Sequence, residues 1–219
     1  MIASTEISTD GTSVKGSISI KSTAFTMDAL LDHLATTVSA VFAPPLLTLS
    51  LIWLAADRVQ GVPSAGRSIA ALIIGLSVLP ALFIYLAYRL GYIHDIKLSR
   101  RSDRMGPALF ATACALAIQP VLAFLDGPPT FAGLASALTV QLAVLALVTN
   151  WWRISYHTAS IGSLAMAGLA LQGPSLAIPL MVVAALVAWS RLRLHCHSPS
   201  QVVAGLATAV PLLWCSWPI

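Results

Sequence analysis

A short segment with two arginines and two histidines lies near the end of the chain, between two long apolar runs. It spans residues 190–201 and reads SRLRLHCHSPSQ, so that five residues separate Arg191 from His197. Ionisable side chains at the edge of hydrocarbon cost several kcal/mol to bury, and their presence there indicates a functional site. The alternative is that Arg191 and Arg193 only anchor a helix end among lipid headgroups.

Two other polar segments carry the same residue types. Residues 94–107 are the most charged part of the chain and contain Lys97 and Arg104, while residues 150–157 end at His157. Lys97, Arg104 and Arg191 could together neutralise the oxygens of a phosphoryl group, lysine as a point charge and arginine as a fork. His157 and His197 could supply a nucleophile and a proton donor, because histidine titrates near neutral pH.

The acidic residues exclude other chemistry. There are only eight carboxylates, and the sequence places no Asp-x3-Asp pair beside the apolar runs that flank the candidate site. A magnesium site for a diphosphate needs such paired carboxylates. We therefore expect no metal and no cofactor. The net charge of +4 comes without an aromatic-rich basic patch, so nucleic-acid binding is not expected either.

Composition indicates a membrane protein. The chain has 219 residues, of which 58% are hydrophobic and only 9% charged, whereas soluble domains carry about 25% charged residues. We predict a polar, flexible tail over residues 1–27 and a membrane-embedded domain over 28–219. The apolar runs predict an all-α, polytopic bundle of six or seven transmembrane helices. They lie at 34–56, 69–93, 108–125, 131–149, 155–171, 176–189 and 201–217.

Counting these crossings places the three candidate segments on one face of the membrane and the turns at 57–67, 126–130 and 172–175 on the other. Ten of the twelve Lys and Arg residues fall on the side of the candidate segments, and only Arg58 and Arg67 fall opposite. Cytoplasmic loops carry the excess of Lys and Arg. We therefore predict an integral protein of a bacterial inner membrane, with a site that opens to the cytoplasm.

The order and spacing of these residues resemble the type 2 phosphatidic acid phosphatases, which are relatives of the vanadium haloperoxidases. That family carries Lys-x6-Arg-Pro, then Pro-Ser-Gly-His, then Ser-Arg-x5-His-x3-Asp. The matching residues are Lys97 and Arg104, then the run Ser155, Tyr156 and His157, then Ser190, Arg191, His197 and Gln201. Here Tyr156 replaces the family's glycine and Gln201 replaces its aspartate.

The resemblance implies an integral-membrane lipid phosphatase that acts without a metal. His197 would attack phosphorus to form a phosphohistidine, His157 would protonate the leaving oxygen, and Gln201 would orient His197. Ser155 and Tyr156 would stand with the three cations in the phosphate pocket. The implied partners are membrane lipids, and the substrate would be a prenyl phosphate or diphosphate, a phosphatidate or a similar lipid phosphate.

Two other functions stay open at this point. The replacements at Tyr156 and Gln201 are also compatible with a non-catalytic binder or transporter of lipid phosphates that retains the pocket. A third interpretation is a metalloprotein, because the alternating ligands His195, Cys196 and His197 suit zinc or copper.

Overall fold

The computed structural model describes residues 18–96, 98, 100 and 102–214, with side chains from residue 27 to residue 213. Within those residues the chain is helical and has no strand. The ten α-helices are α1 Ile18–Val41, α2 Pro44–Ala56, α3 Ala65–Ile73, α4 Leu79–Arg89, α5 Met105–Phe124, α6 Pro129–Thr149, α7 Tyr156–Gln172, α8 Pro174–Arg193, α9 Pro199–Ala207 and α10 Pro211–Trp214. A π-helical turn at Ile74–Val78 joins α3 to α4, and a 3₁₀ turn follows α2 at Asp57–Val59.

Four segments are long and apolar enough to cross a membrane: α3 with α4, then α5, α6 and α8. The pair α1 and α2 is bent by 48° and would make a fifth crossing if it counts as one span. The all-helical prediction is therefore confirmed for the described residues, together with four or five helices that could span a membrane.

The first predicted span differs most from the structure. Pro44 and Pro45 begin α2 after a break within the predicted run 34–56, because proline is tolerated at the first turn of a helix and not in its interior. The preceding helix begins at Ile18, inside the segment predicted as a flexible tail. Residues 1–17 of that tail lie outside the described residues.

Helix α7 occupies the centre of the bundle and packs against α2, α8 and α9. Its inward residues are small or aliphatic, and Ile161, Ala165 and Ala167 are almost completely buried. Small side chains let the neighbouring backbones approach closely, which is how helices associate in membranes. This packing holds the first turn of α7 against the ends of α8 and α9.

One end of the bundle has a hydrogen bond between two turns, and the other end has a pocket between two helix ends. At one end, Ser64 donates a 2.7 Å hydrogen bond to the Asp126 carbonyl, which joins the turn after α2 to the turn after α5. At the other end, a pocket of about 400 Å³ lies between Ser102 and Met105 at the start of α5 and the end of α6. These contacts bring the turn at 57–67 next to the turn at 126–130, and residues 102–105 next to residues 149–150.

Candidate phosphate site

The segment that links α8 to α9 is closed at both ends by helix-capping motifs. His195 has a φ of +50°, and the backbone N–H groups of His195 and Cys196 donate to the carbonyls of Leu192 and Arg191. This is the Schellman arrangement, which ends a helix at a left-handed residue that is usually glycine. It turns the chain sharply after Arg193.

Four residues later the chain enters α9 through a capping box. The Ser198 side chain accepts from the Gln201 backbone N–H at 3.4 Å, and the Gln201 side chain accepts from the Ser198 backbone N–H at 3.0 Å. Pro199 occupies the first turn, where its fixed φ suits a helix start. His197 is thus held just before α9, between two fixed helix ends.

Helix α9 is pressed against the start of α7. The Ser155 backbone N–H donates to the Gln201 carbonyl at 3.4 Å, and the Thr158 hydroxyl lies 3.1 Å from the Val202 carbonyl. A Cβ atom on Gly205 would lie 2.3 Å from the Thr158 hydroxyl oxygen and 2.5 Å from the Ser155 carbonyl oxygen. Only glycine permits this approach, and it places His157 in the first turn of α7 beside His197.

Two histidines and two arginines converge at this junction. His157 is close enough to Arg191 and His197 for their charges to act on it, and its ring faces the backbone of Ser39. Arg153 is close enough to Arg191 and to His197 for its positive charge to act on both. The His197 Nδ1 atom lies 3.4 Å from the Arg153 carbonyl oxygen. The structure thus brings together His157, His197 and Arg191, which are three of the predicted site residues.

The guanidinium of Arg191 has a buried donor without a hydrogen-bond partner. Its Nη1 donates to the Ser39 hydroxyl at 2.5 Å, but its Nε is buried and has no hydrogen-bond partner. A buried charged donor without a partner costs free energy, so a group left in this state at a functional site calls for an acceptor. The N-terminus of α7 adds further positive potential, which favours an anion.

The local charge also acts on His197. Burial, which is the largest cause, and the positive charges of Arg191 and Arg153 together lower the pKa of His197 from 6.5 to about 4. Hydrogen bonds to the Arg153 backbone and the Gln201 side chain oppose this shift. His197 is therefore neutral at physiological pH. With Nδ1 turned to a carbonyl, the lone pair that remains for chemistry is on Nε2.

Other predicted site residues take different positions. Ser155 is fully buried and its hydroxyl caps α7 by accepting from the Thr158 N–H at 3.4 Å. The Tyr156 hydroxyl pairs with Thr149 on α6 at 3.3 Å, and the Tyr156 side chain packs against the apolar cluster of Leu145, Ile154 and Ala159. Gln201 belongs to the capping box and lies near His197. The hydroxyl groups of Ser155 and Tyr156 thus bond within the helices around the site.

The loop between α4 and α5 is organised by its own contacts. Arg104 Nε donates to the Leu98 carbonyl at 2.8 Å. Asp103 is 3% exposed and accepts from the His94 backbone N–H at 2.8 Å, which lowers the pKa of this carboxyl below its usual value. Lys97, predicted as a phosphate ligand, lies outside the described residues. The contact of Arg104 with Leu98 joins it to this loop.

Two residues of the site were missed by sequence reasoning. Arg153 precedes His157 by four positions, so its place in the same candidate segment was an available signal. Ser39 lies 152 positions from Arg191, and nothing in the sequence around it indicates the contact.

The interpretation as a zinc or copper site finds no support in the geometry. Among the described residues, no group of three or more His, Cys, Asp and Glu side chains could hold a metal ion. His195 is exposed and lies on the turn after α8 with a φ of +50°.

An apolar groove begins next to the site. It has a volume of about 450 Å³ and lies between the end of α6 and the helices α9 and α10. Trp152 and Ile154, which flank Arg153, line one end, and Ala204, one turn after Gln201, lines the facing wall. The cationic site and the groove therefore share a border.

Comparison of the chain with known protein families, with curated proteins and with solved structures finds no match to any of them.

Proposed function

We propose that the protein is an integral-membrane lipid phosphatase that hydrolyses a lipid phosphate or diphosphate through a phosphohistidine intermediate. One observation carries the proposal: the unpartnered, buried Nε of Arg191 lies at a junction where His157 and neutral His197 also meet. A buried guanidinium Nε without an acceptor favours an anion, and a neutral imidazole can act as a nucleophile.

The proposed reaction has two steps. The His197 Nε2 lone pair attacks phosphorus, the bond from phosphorus to the leaving oxygen breaks, and His157 gives its proton to that oxygen. Water then attacks phosphorus, the N–P bond breaks, inorganic phosphate leaves, and the proton lost by water returns to His157. Arg191, with Lys97 and Arg104 of the neighbouring loop, would hold the phosphoryl oxygens throughout.

Protonation of His157 in the loaded site has a physical basis. Without a ligand, the charge of Arg191 disfavours a second cation on either histidine, and the charge of Arg153 does so on His197. A phosphoryl dianion offsets those charges, so substrate binding favours proton uptake by the histidine pair. Binding of the substrate would therefore favour the protonated His157 that donates to the leaving oxygen.

The adjacent groove supports a lipid as the substrate. Its walls are almost wholly apolar, and Ile154 and Ala204 bring it within a helical turn of the residues that carry the site. A prenyl or acyl chain in this groove would place its phosphate at Arg191.

We also propose the number of membrane crossings and the side of the membrane on which the site opens. The bundle would cross the membrane six or seven times if α7 and the pair α9 and α10 are also counted as crossings. The excess of Lys and Arg places the site on the cytoplasmic side of a bacterial inner membrane. A reporter fused after Ile219 tests the orientation: alkaline phosphatase activity is expected, and a fluorescent cytoplasmic fusion would place the site on the outer face.

Phosphate release from purified protein tests the function. We expect release from at least one lipid among prenyl phosphates, prenyl diphosphates and phosphatidate. Activity should persist in excess EDTA and be inhibited by orthovanadate, which mimics pentacoordinate phosphorus. Activity lost on chelation and restored by magnesium would contradict the mechanism, and saturable lipid-phosphate binding without release would favour a binder or transporter.

A further inference from the structure

Helix α1 reaches the site from a part of the chain that carries none of the motif residues. The Ser39 hydroxyl accepts a 2.5 Å hydrogen bond from Arg191 Nη1, and the backbone of Ser39 faces the His157 ring. A single residue of α1 therefore contacts both a cation and a histidine of the proposed phosphate site.

A second arginine fixes α1 in this position. Arg193 Nε donates to Asp32 at 2.7 Å, and its Nη2 donates to Asp28 at 2.8 Å. Asp28, Asp32, Ala35 and Ser39 are spaced by four, three and four residues, so they form one stripe on the helix. Ala35 is fully buried in that stripe. The two ion pairs of Arg193, here called the Arg193 clamp, therefore lie on the same stripe of α1 as Ser39, which contacts Arg191 on α8.

The contact determines which edge of the Arg191 guanidinium remains for a ligand. Guanidinium presents five N–H donors in one plane, and Nε and Nη2 share the edge that matches two oxygens of a phosphate. The Ser39 hydroxyl accepts from Nη1, which does not belong to that edge. The buried Nε is left without a partner.

We infer that Ser39 is a positioning residue of the phosphate site, because it holds Nη1 of Arg191 so that the Nε edge faces the phosphoryl oxygens. Helix α1 is then a fixed wall of the site rather than a tail, and the Arg193 clamp keeps it in register. This inference rests on the proposed function for its ligand, a phosphate group, but not on turnover.

Removal of the hydroxyl tests the inference. Ser39→Ala should raise the KM for the lipid phosphate and the inhibition constant of orthovanadate about tenfold each, since one hydrogen bond to a charged group is lost. Ser39→Thr keeps a hydroxyl and should stay near the wild type. The matched control is Ser50→Ala on α2, whose hydroxyl bonds its own helix at Leu46 and which should change neither constant.

A merely structural role predicts different data. If Ser39 acts through Arg191, Ser39→Ala should cause no further loss in an Arg191→Lys background, because lysine has no edge to orient. Losses that multiply in the double variant would overturn the inference. So would a Ser39→Ala protein whose orthovanadate inhibition equals that of the wild type.

Binding separates this inference from the proposed function. Calorimetric titration with inorganic phosphate needs no turnover, and Ser39→Ala should bind it about tenfold more weakly than the wild type and the Ser50→Ala control. A wild type that releases no phosphate from any lipid but shows this difference would refute the phosphatase and support Ser39. Equal phosphate affinity in an active enzyme would refute Ser39 and leave the phosphatase standing.

Discussion

The Nδ1 atom of His197 lies 3.4 Å from the carbonyl oxygen of Arg153, and this contact orients the imidazole between α7 and α9. A carbonyl accepts only, so Nδ1 carries the proton and Nε2 keeps the lone pair. The nearby His195 does not share this environment, since it is exposed on the turn after α8. The two histidines can therefore be distinguished by substitution.

His197→Ala should abolish phosphate release, with a loss of at least about a thousandfold, while the protein stays folded. His195→Gly should keep wild-type activity and raise the free energy of unfolding by about 1 kcal/mol, because glycine adopts the φ of +50° without a Cβ penalty. Phosphate release and thermal unfolding measure both effects. An inactive His195→Gly beside an active His197→Ala would reverse the assignment.

The low pKa of His197 predicts activity in mild acid. A nucleophile must be neutral, so kcat/KM should fall only as pH drops through about 4, not through the usual histidine value of 6.5. At pH 5.5 a histidine of ordinary pKa would be only about one-tenth neutral. Arg153→Met removes a positive charge beside His197 and should move the acid limb to higher pH. An acid limb near 6.5 in the wild type would contradict this assignment.

The same pKa has a consequence for stability. His197 binds a proton near pH 6.5 in the unfolded chain but only near pH 4 in the folded one, so the unfolded state binds more protons between these values. Its contribution to stability is therefore complete above pH 6.5 and is lost as pH falls towards 4. His197→Asn should flatten this part of the curve of unfolding temperature against pH, and an unchanged slope would show that other groups dominate.

Gln201 should act on folding as well as on His197. Gln201→Ala removes one half of the capping box and should lower the free energy of unfolding by about 1 kcal/mol. Gln201→Glu retains an acceptor at the same position of the box and adds a negative charge near His197. We expect it to fold normally and to raise the pH of the acid limb of kcat/KM. A Gln201→Ala rate as low as that of His197→Ala would indicate a direct chemical role.

The helices were predictable where proline and capping residues mark their ends. Pro129, Pro174 and Pro199 each stand in the first turn of a helix, and Ser198 with Gln201 is a capping-box pattern that sequence reasoning read as part of a site. Contacts between distant segments have no comparable signal in the sequence. Ser39 and the Arg193 clamp depend on how α1 packs on α8, and neither hydrophobic pattern nor motif spacing reports that packing.

Gly205 tests whether close packing of α9 on α7 creates the site. Gly205→Ala would bring a methyl group within 2.3 Å of the Thr158 hydroxyl oxygen and 2.5 Å of the Ser155 carbonyl, and backbone cannot yield cheaply. We expect Gly205→Ala to lower the unfolding free energy by about 1–3 kcal/mol. Phosphate release should fall by more than this loss of stability explains, because His197 moves away from His157.

Gly66→Ala is the matched control, because a Cβ there meets no atom within 4 Å. It lies near the start of α3, where alanine favours the helix, so stability should stay equal or rise by up to about 1 kcal/mol. Thermal unfolding and phosphate release of both variants decide the matter, and a fully active Gly205→Ala would show that the two histidines do not need this helix contact.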